Sequence, residues 1–157
     1  MSDHETILVI GATGFLGQPV ARELHDRGWT VRVMGRDEAK LRQVFGEGYE
    51  IAAGDAEDPT ALRAAVEGCA AVHVSVAAIP DWHLERRTVE ALVPLAAELG
   101  VQRIGYLSGA SVHEDRAAFA MVDAKLRAEA ALHDGGVPFT VFRPTWFFET
   151  VANMVRD

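Results

Sequence analysis

The sequence predicts an α/β protein in which helices cover both faces of a doubly wound parallel sheet. Two observations lead to this prediction. The apolar, β-branched run at 7–10 is of the kind buried in a parallel sheet, and it leads directly into a glycine-rich turn and a helical pattern. Beyond it, strand and helix patterns alternate along the whole chain, with short turn signals between them. Such alternation is typical of a parallel sheet with helices on both faces.

Six strands and five helices are predicted. The strands lie at 6–10, 30–34, 49–53, 71–76, 101–107 and 138–142. The helices lie at 15–27, 37–45, 58–66, 83–99 and 116–133. Six such strands complete a doubly wound sheet in the order 3-2-1-4-5-6.

Local signals bound these elements. Leu16, Val20 and Leu24 form one apolar stripe on the first helix. Pro94 lies inside the fourth helix and is expected to kink or split it. Glycine-containing turns separate the elements at Arg27-Gly28, Gly46-Glu47-Gly48, Glu67-Gly68, Gly100 and Gly135-Gly136.

The composition narrows the class of protein. The chain has 157 residues without an internal boundary or linker, so a single domain over 1–157 is predicted. The formal net charge of −8 argues against nucleic-acid and anionic-membrane partners, because both require a basic surface. Cys69 is the only cysteine, which favours a reducing compartment. Since neither a signal peptide nor a membrane-spanning run is found, a cytoplasmic location is expected.

A glycine-rich turn at 11–17 is the most informative motif. Gly11 lets the chain turn, Gly14 lets the backbone approach a ligand, and Gly17 lets helix and strand pack closely. The helix N-terminus adds free N–H groups and a partial positive charge. A dinucleotide pyrophosphate is therefore expected here, with a structural turn that binds no ligand as the alternative. The expected contacts are Gly11, Ala12, Thr13, Gly14, Phe15, Leu16 and Gly17.

The end of the second strand bears on the choice of cofactor. An acidic side chain there would accept the ribose 2′-OH of NAD, whereas Arg36 offers a planar guanidinium suited to the 2′-phosphate of NADP. Lys40, one helical turn beyond Arg36, could add a second positive charge. In the competing register Asp37 is the ribose acid, and the two cations only face solvent. NADP is favoured over NAD.

Several segments along the chain follow one family pattern. They are Thr6–Gly17, Val33–Asp37, Ala53–Asp55, Ile104–Ser108, Lys125 and Phe139–Pro144. On these segments the chain resembles the atypical, NmrA-like branch of the short-chain dehydrogenase/reductase superfamily, over nearly its whole length. The resemblance implies a Rossmann fold that binds NAD(P). Family members usually carry a substantial substrate-binding region after the Arg-Pro pair, and little or no separate substrate domain is expected in this chain.

Three adjacent aromatic residues, Trp146, Phe147 and Phe148, stand near the end of the sequence. Such a cluster normally needs a partner surface. It is expected to cap the domain, to form a contact between copies of the chain, or to meet a further segment of a longer protein.

The resemblance also implies contacts for the rest of the cofactor. Family members place an acid beside the adenine after strand three, and small residues after strand four let the cofactor approach the sheet edge. The implied contacts are Asp55, Ala56, Ser75, Ala77 and Pro144. The alternative for the segment after strand three is a helix cap, for which Asp58-Pro59 is a good N-cap and N1 pair.

The catalytic set implied by the resemblance is incomplete. Typical members use a Tyr-x-x-x-Lys pair with a nearby serine, and the tyrosine exchanges a proton with the substrate. Lys125 and Ser108 occupy the lysine and serine positions, but Met121 stands where the tyrosine is expected. Lys125 is expected to bind the nicotinamide ribose or to serve as the acid–base group. The alternative is an exposed helix lysine near Glu129, its i,i+4 neighbour of opposite charge.

Two functions follow from these expectations. One is an NADPH-dependent oxidoreductase acting on a quinone, carbonyl or enone, in which the protein mainly orients both partners and excludes water. The other is a non-catalytic, NADP-binding redox sensor or regulator, which the missing tyrosine favours. The enzyme is preferred because catalysis is frequent among similar proteins. A small-molecule substrate is the expected partner, and no metal site is predicted because the histidines and Cys69 lack ligand spacing.

Overall fold

Six strands form one parallel sheet in the computed structural model, which describes residues 5–76, 81–145 and 147. The strands are Thr6–Ile10 (β1), Thr30–Gly35 (β2), Glu50–Ala53 (β3), Cys69–Val74 (β4), Arg103–Leu107 (β5) and Phe139–Phe142 (β6). Their order, β3-β2-β1-β4-β5-β6, confirms the predicted doubly wound sheet. Leu8, Val9 and Ile10 are buried, as expected for a central strand covered on both faces.

Five α-helices connect the strands. They are Gly17–Asp26 (α1), Glu38–Phe45 (α2), Pro59–Val66 (α3), His83–Glu98 (α4) and Ala120–Asp134 (α5). The largest difference from the predicted bounds is the start of α5, which was expected at 116. A separate 3₁₀ turn occupies Glu114–Arg116, and Phe119 then takes an extended conformation (φ −87°, ψ 122°), so the α-helix begins only at Ala120.

Pro94 does not split α4, so of the two expected outcomes the split was wrong and the kink stays a prediction. The helix continues from His83 to Glu98. Leu92, Val93 and Ala96, on both sides of the proline, are buried in the core. A buried Leu or Val side chain contributes about 1.5–3 kcal/mol, so this packing offsets the roughly 3 kcal/mol cost of an interior proline.

Two apolar layers hold the helices against the sheet. On one face, α1 and α2 contribute Ala21, Leu41 and Phe45 to a core that they share with Val31 and Val33 of β2. On the other face, helices α3, α4 and α5 pack over a larger core that includes Leu62, Leu92, Leu132, Ile104 and Tyr106. The prediction of helices on both faces is therefore confirmed.

The parallel register brings the carboxyl ends of the strands to one edge. Ile10, the last residue of β1, pairs with Met34 of β2 and with Val74 of β4. The chain order reverses here, between β1 and β4, and such a switch point is where open α/β sheets bind ligands.

Candidate functional site

A cleft of about 1130 Å³ runs along this edge of the sheet. Residues that follow all six strands line it, together with side chains from α4 and α5. Among the predicted site residues, those that line the cleft are Gly11, Thr13, Gly14, Phe15, Leu16, Arg36, Asp55, Ala56, Ser75, Ser108, Lys125 and Pro144. The fold thus brings together residues that are up to 133 positions apart in the sequence.

Four predicted contacts have other positions. Ala12 is fully buried and belongs to the core beneath the cleft. Gly17 is buried as the first residue of α1, and Lys40 is exposed on α2; neither lines the cleft. Ala77 lies outside the described residues.

The aromatic residues near the end of the chain are described only in part. Phe147 lines the cleft, and its ring meets that of Phe15 edge-on with 6.2 Å between centroids. Trp146 and Phe148 lie outside the described residues. A contact between copies of the chain at this cluster stays a prediction.

The glycine turn after β1 leaves no room for a side chain at Gly11 or at Gly17. Gly11 has a φ of +79°, and a Cβ there would lie 2.4 Å from the carbonyl oxygen of Ser75. A Cβ on Gly17 would lie 2.2 Å from the carbonyl oxygen of Gly11. Gly11 therefore permits the turn beside β4, and Gly17 permits close packing of α1 on β1.

The N-terminus of α1 is open toward the cleft. Its N-cap residue, Leu16, supplies no side-chain hydrogen bond to the first turn. Within the described part of the chain, no carbonyl accepts from the amides of Phe15 and Leu16, and both residues line the cleft. Free N–H groups and the positive end of the helix dipole suit an anionic group such as a pyrophosphate. The residues present thus fit a dinucleotide.

Two residues after β2, Arg36 and Asp37, could contact the 2′-position of the ribose, and their surroundings differ. Arg36 is exposed and lines the cleft. Asp37 is the N-cap of α2, where its carboxylate accepts from the amide of Lys40 at 3.0 Å. Arg36 therefore faces the ligand side, whereas Asp37 already serves the helix.

The segment after β3 contains both a stretch of the cleft wall and a helix cap, the two roles that the sequence offered for it. Asp55 and Ala56 line the cleft. The capping role belongs to Asp58, whose carboxylate accepts from the amide of Thr60 at 2.9 Å. The Asp55 side chain accepts from the amide of Glu57, which orders the turn while leaving the residue on the cleft wall.

A buried carboxylate organises the far end of the cleft. Glu85 of α4 accepts from the ammonium of Lys125 at 2.7 Å and from the hydroxyl of Tyr106 at 2.6 Å. The Lys125 ammonium also donates to the carbonyl of Leu107 at 3.2 Å. Burial and the adjacent Glu85 carboxylate raise the pKa of the Tyr106 hydroxyl well above its usual value. Tyr106 therefore keeps its proton. The alternative of an exposed Lys125 beside Glu129 was wrong, because Lys125 is 14% exposed and pairs with Glu85.

A second carboxylate cluster lies beside the first. Glu129 of α5 accepts from the hydroxyl of Ser108 at 2.5 Å and from the guanidinium of Arg143. Burial raises the pKa of Glu129, but the hydrogen bonds from Arg143 and Ser108 outweigh that effect, so its pKa lies below the usual value. The single hydroxyl hydrogen of Ser108 is thus committed to a carboxylate.

Sequence reasoning missed two side chains of this region. Glu85 lies on the buried face of α4, and a carboxylate on such a face is a signal of a buried partner. Arg116 also lines the cleft, from the 3₁₀ turn before α5. Nothing in its local sequence distinguishes it from a solvated surface cation.

None of the helices of the described residues combines the length and apolar character needed to span a bilayer. Across those same residues, no group of three or more His, Cys, Asp or Glu side chains is placed to hold a metal ion.

Comparison with known proteins gives a consistent result. A family model described as NAD(P)H-binding matches residues 11–156. Over 147 residues the chain is 37% identical to the (4-alkanoyl-5-oxo-2,5-dihydrofuran-3-yl)methyl phosphate reductase of Streptomyces griseus, covering 94% of this chain and 50% of that protein. It is 29% identical to the NAD(P)H azoreductase of Xenophilus azovorans, covering 96% of this chain and 52% of that protein. The chain spans about half the length of these curated relatives.

A solved structure shares the fold. An NADPH-dependent quinone oxidoreductase of Escherichia coli, determined in complex with NADPH, superposes with a TM-score of 0.81 at 24% identity. The match covers 96% of this chain and 52% of that protein.

Proposed function

The chain belongs to the NAD(P)H-binding family, and on that premise we propose that it acts as an NADPH-dependent oxidoreductase toward a quinone, carbonyl or enone acceptor. One observation carries the proposal. A single cleft joins the open N-terminus of α1 to the Lys125 ammonium at the far end of the sheet edge. A dinucleotide bound with its pyrophosphate on α1 would extend along this cleft in both directions.

The relatives support the reductive class. The two curated relatives described above are named as a (4-alkanoyl-5-oxo-2,5-dihydrofuran-3-yl)methyl phosphate reductase and an NAD(P)H azoreductase. Reduction is what the two names share, and we extend it to this chain. Their substrates differ, so the acceptor has to be argued from the residues of the cleft.

NADP is preferred to NAD in this proposal. Arg36 faces the cleft where the 2′-position of the adenosine ribose is expected, and it can donate to a phosphate through a planar fork. The competing acid, Asp37, caps α2 instead. A capping carboxylate is poorly placed to accept a ribose hydroxyl.

The residues at the far end favour acceptors that need no proton from a tyrosine. The hydroxyls of Tyr106 and Ser108 both donate to carboxylates, and Met121 has no exchangeable proton. Lys125 is an ammonium there that lines the cleft and can donate a proton. NADPH supplies the hydride when it is bound, and a quinone then takes its proton from Lys125 or from water. The residues of the chain orient the two partners.

A pair of measurements tests this proposal. Calorimetry reports whether NADP⁺ binds, and the loss of NADPH absorbance reports turnover with a panel of quinones. Lys125→Met should lower turnover without abolishing cofactor binding, whereas Arg127→Met, on the exposed face of α5, should leave both unchanged. Steady NADPH consumption by the unaltered chain is expected. Cofactor binding without any turnover would contradict the oxidoreductase and leave the regulator, whose sign would be a cofactor-dependent change in sedimentation.

A further inference from the structure

A second cavity of about 510 Å³ adjoins the cofactor cleft. It is lined by Trp82, Ser111, Arg116, Phe119, Ala120, Met121 and Val122, and we call it the side cavity. Three of these residues, Ser111, Arg116 and Met121, line the cleft as well, so the two spaces share a wall. Met121 lies one helical turn before Lys125, which places the shared wall at the far end of the cleft.

The walls of the side cavity are mostly apolar and accessible. Phe119 is 67% exposed and Met121 is 37% exposed. Together with Trp82 they offer aromatic and polarisable surface, which suits a planar, unsaturated ring. Exposed large apolar side chains clustered at a cavity are typical of a ligand-binding surface rather than of an inert one.

Arg116 is the single charged side chain among the described residues that line this cavity. Within the described part of the chain, its guanidinium takes part in no hydrogen bond or ion pair. Lys125, which also lines the cleft at this end, has its charge paired with Glu85. Among the described residues, Arg116 is therefore a cation without an ion-pair partner where the side cavity meets the cleft.

We infer that the side cavity binds the acceptor, and that Arg116 selects acceptors which carry an anionic group on a planar unsaturated ring. A sulfonate, carboxylate or phosphate on the ring would accept from the Arg116 guanidinium. The ring would then lie against Phe119 and Met121, toward the cleft. The inference rests on the proposed function, because it assigns the substrate class of the same site.

Because the chain is acidic overall, a preference for anionic acceptors would have to come from a local cation such as Arg116. With a formal charge of −8, the protein as a whole repels anions. A preference for an anionic acceptor therefore requires a local cation at the binding surface. If the preference is lost when that cation is removed, and is kept when a distant cation is removed, the local cation is the residue responsible.

The test compares two quinones that share a ring system, naphthoquinone and naphthoquinone sulfonate. Each is titrated by calorimetry into the whole chain, with and without NADP⁺. We expect the sulfonate to bind at least about fivefold more tightly than the neutral quinone, as one partly exposed charge-assisted contact provides. Raising the salt concentration should reduce that preference, because the guanidinium is accessible to solvent.

Two variants show whether the preference for the sulfonate comes from Arg116. Arg116→Gln should remove the preference for the sulfonate while leaving the affinity for the neutral quinone within about twofold. Arg127→Gln removes the same charge from the outer face of α5, where the arginine pairs with Asp123, and should leave the preference intact. Circular dichroism of both variants serves as the control for folding.

The outcomes separate this inference from the proposed function. Equal affinity for the two quinones in the unaltered chain, or a preference that survives in Arg116→Gln, overturns the role of Arg116. Failure of NADP⁺ to bind overturns the proposed function instead, and the titrations without cofactor still decide whether Arg116 selects the anion.

Discussion

Replacement of Lys125 by methionine tests whether the buried ion pair at the far end of the cleft forms. The Lys125 and Glu85 side chains are 14% and 7% exposed, and 2.7 Å separates their charged atoms. Methionine fills a similar volume but leaves Glu85 with only the Tyr106 hydroxyl as a partner. Removing one member of a buried pair typically costs 3–5 kcal/mol of unfolding free energy, and the partial exposure of Lys125 places the expected loss at about 3 kcal/mol.

The measurement is urea denaturation at neutral pH, followed by circular dichroism. Arg127→Met is the matched control, because Arg127 pairs with Asp123 on the exposed side of the same helix. An exposed i,i+4 pair is worth about 0.5 kcal/mol or less, so the control should lose little stability. Equal losses in the two variants would refute the buried pair.

A double variant separates charge from packing. In Lys125→Met with Glu85→Gln no buried charge is left without a partner, so at least about 1 kcal/mol of the lost stability should return. The double variant also separates stability from chemistry. If it folds well yet turns over quinones slowly, the loss of turnover reports the missing ammonium.

Three further predictions concern the cofactor and the second cluster. Arg36→Ala should weaken NADP binding about tenfold and leave NAD binding unchanged by calorimetry, since only the 2′-phosphate loses a partner; equal losses would return Asp37 as the determinant. Gly14→Val should weaken NADP binding at least about tenfold in calorimetry while the fold is retained, because Gly14 lines the cleft where the pyrophosphate is expected and a branched side chain would occupy that space. Glu129, whose pKa is lowered in the fold, stabilises it above the usual carboxyl pKa of about 4.3, and this contribution is lost as pH falls through the lowered value. Thermal melts of Glu129→Gln should therefore show a flatter acid limb than those of the parent chain.

The sheet order and the eleven elements could be predicted because their signals are local. Apolar runs with period two or 3.6, bounded by glycines, fix each element without reference to the rest of the chain. Two local signals did not give the observed helices. Pro94 stays inside α4, where its buried neighbours pack in the core. α5 begins late because a separate 3₁₀ turn occupies Glu114–Arg116 and Phe119 is extended, although none of the residues of that turn is buried.

Local sequence predicts one end of the candidate site better than the other. The glycine turn at 11–17 specifies its own backbone, so its position at the cleft could be predicted from spacing alone. The partner of Lys125 could not. Glu129 is its neighbour on the helix, but Glu85, 40 residues away, is the partner once α4 packs against α5. Such pairings depend on tertiary structure, which local spacing does not encode.

The two carboxylate clusters have a joint consequence for the chemistry of the cleft. Each carboxylate takes one hydroxyl hydrogen and one cation: Glu85 holds Tyr106 and Lys125, and Glu129 holds Ser108 and Arg143. Both hydroxyls are thereby removed as proton donors to a substrate. An acceptor that needs a strong protein acid would be reduced poorly here, whereas a quinone, which readily accepts a hydride and takes its proton from an ammonium or from water, would not. Acceptors would then be selected by how well they bind at the rim of the cleft, near Arg116, rather than by how they are protonated.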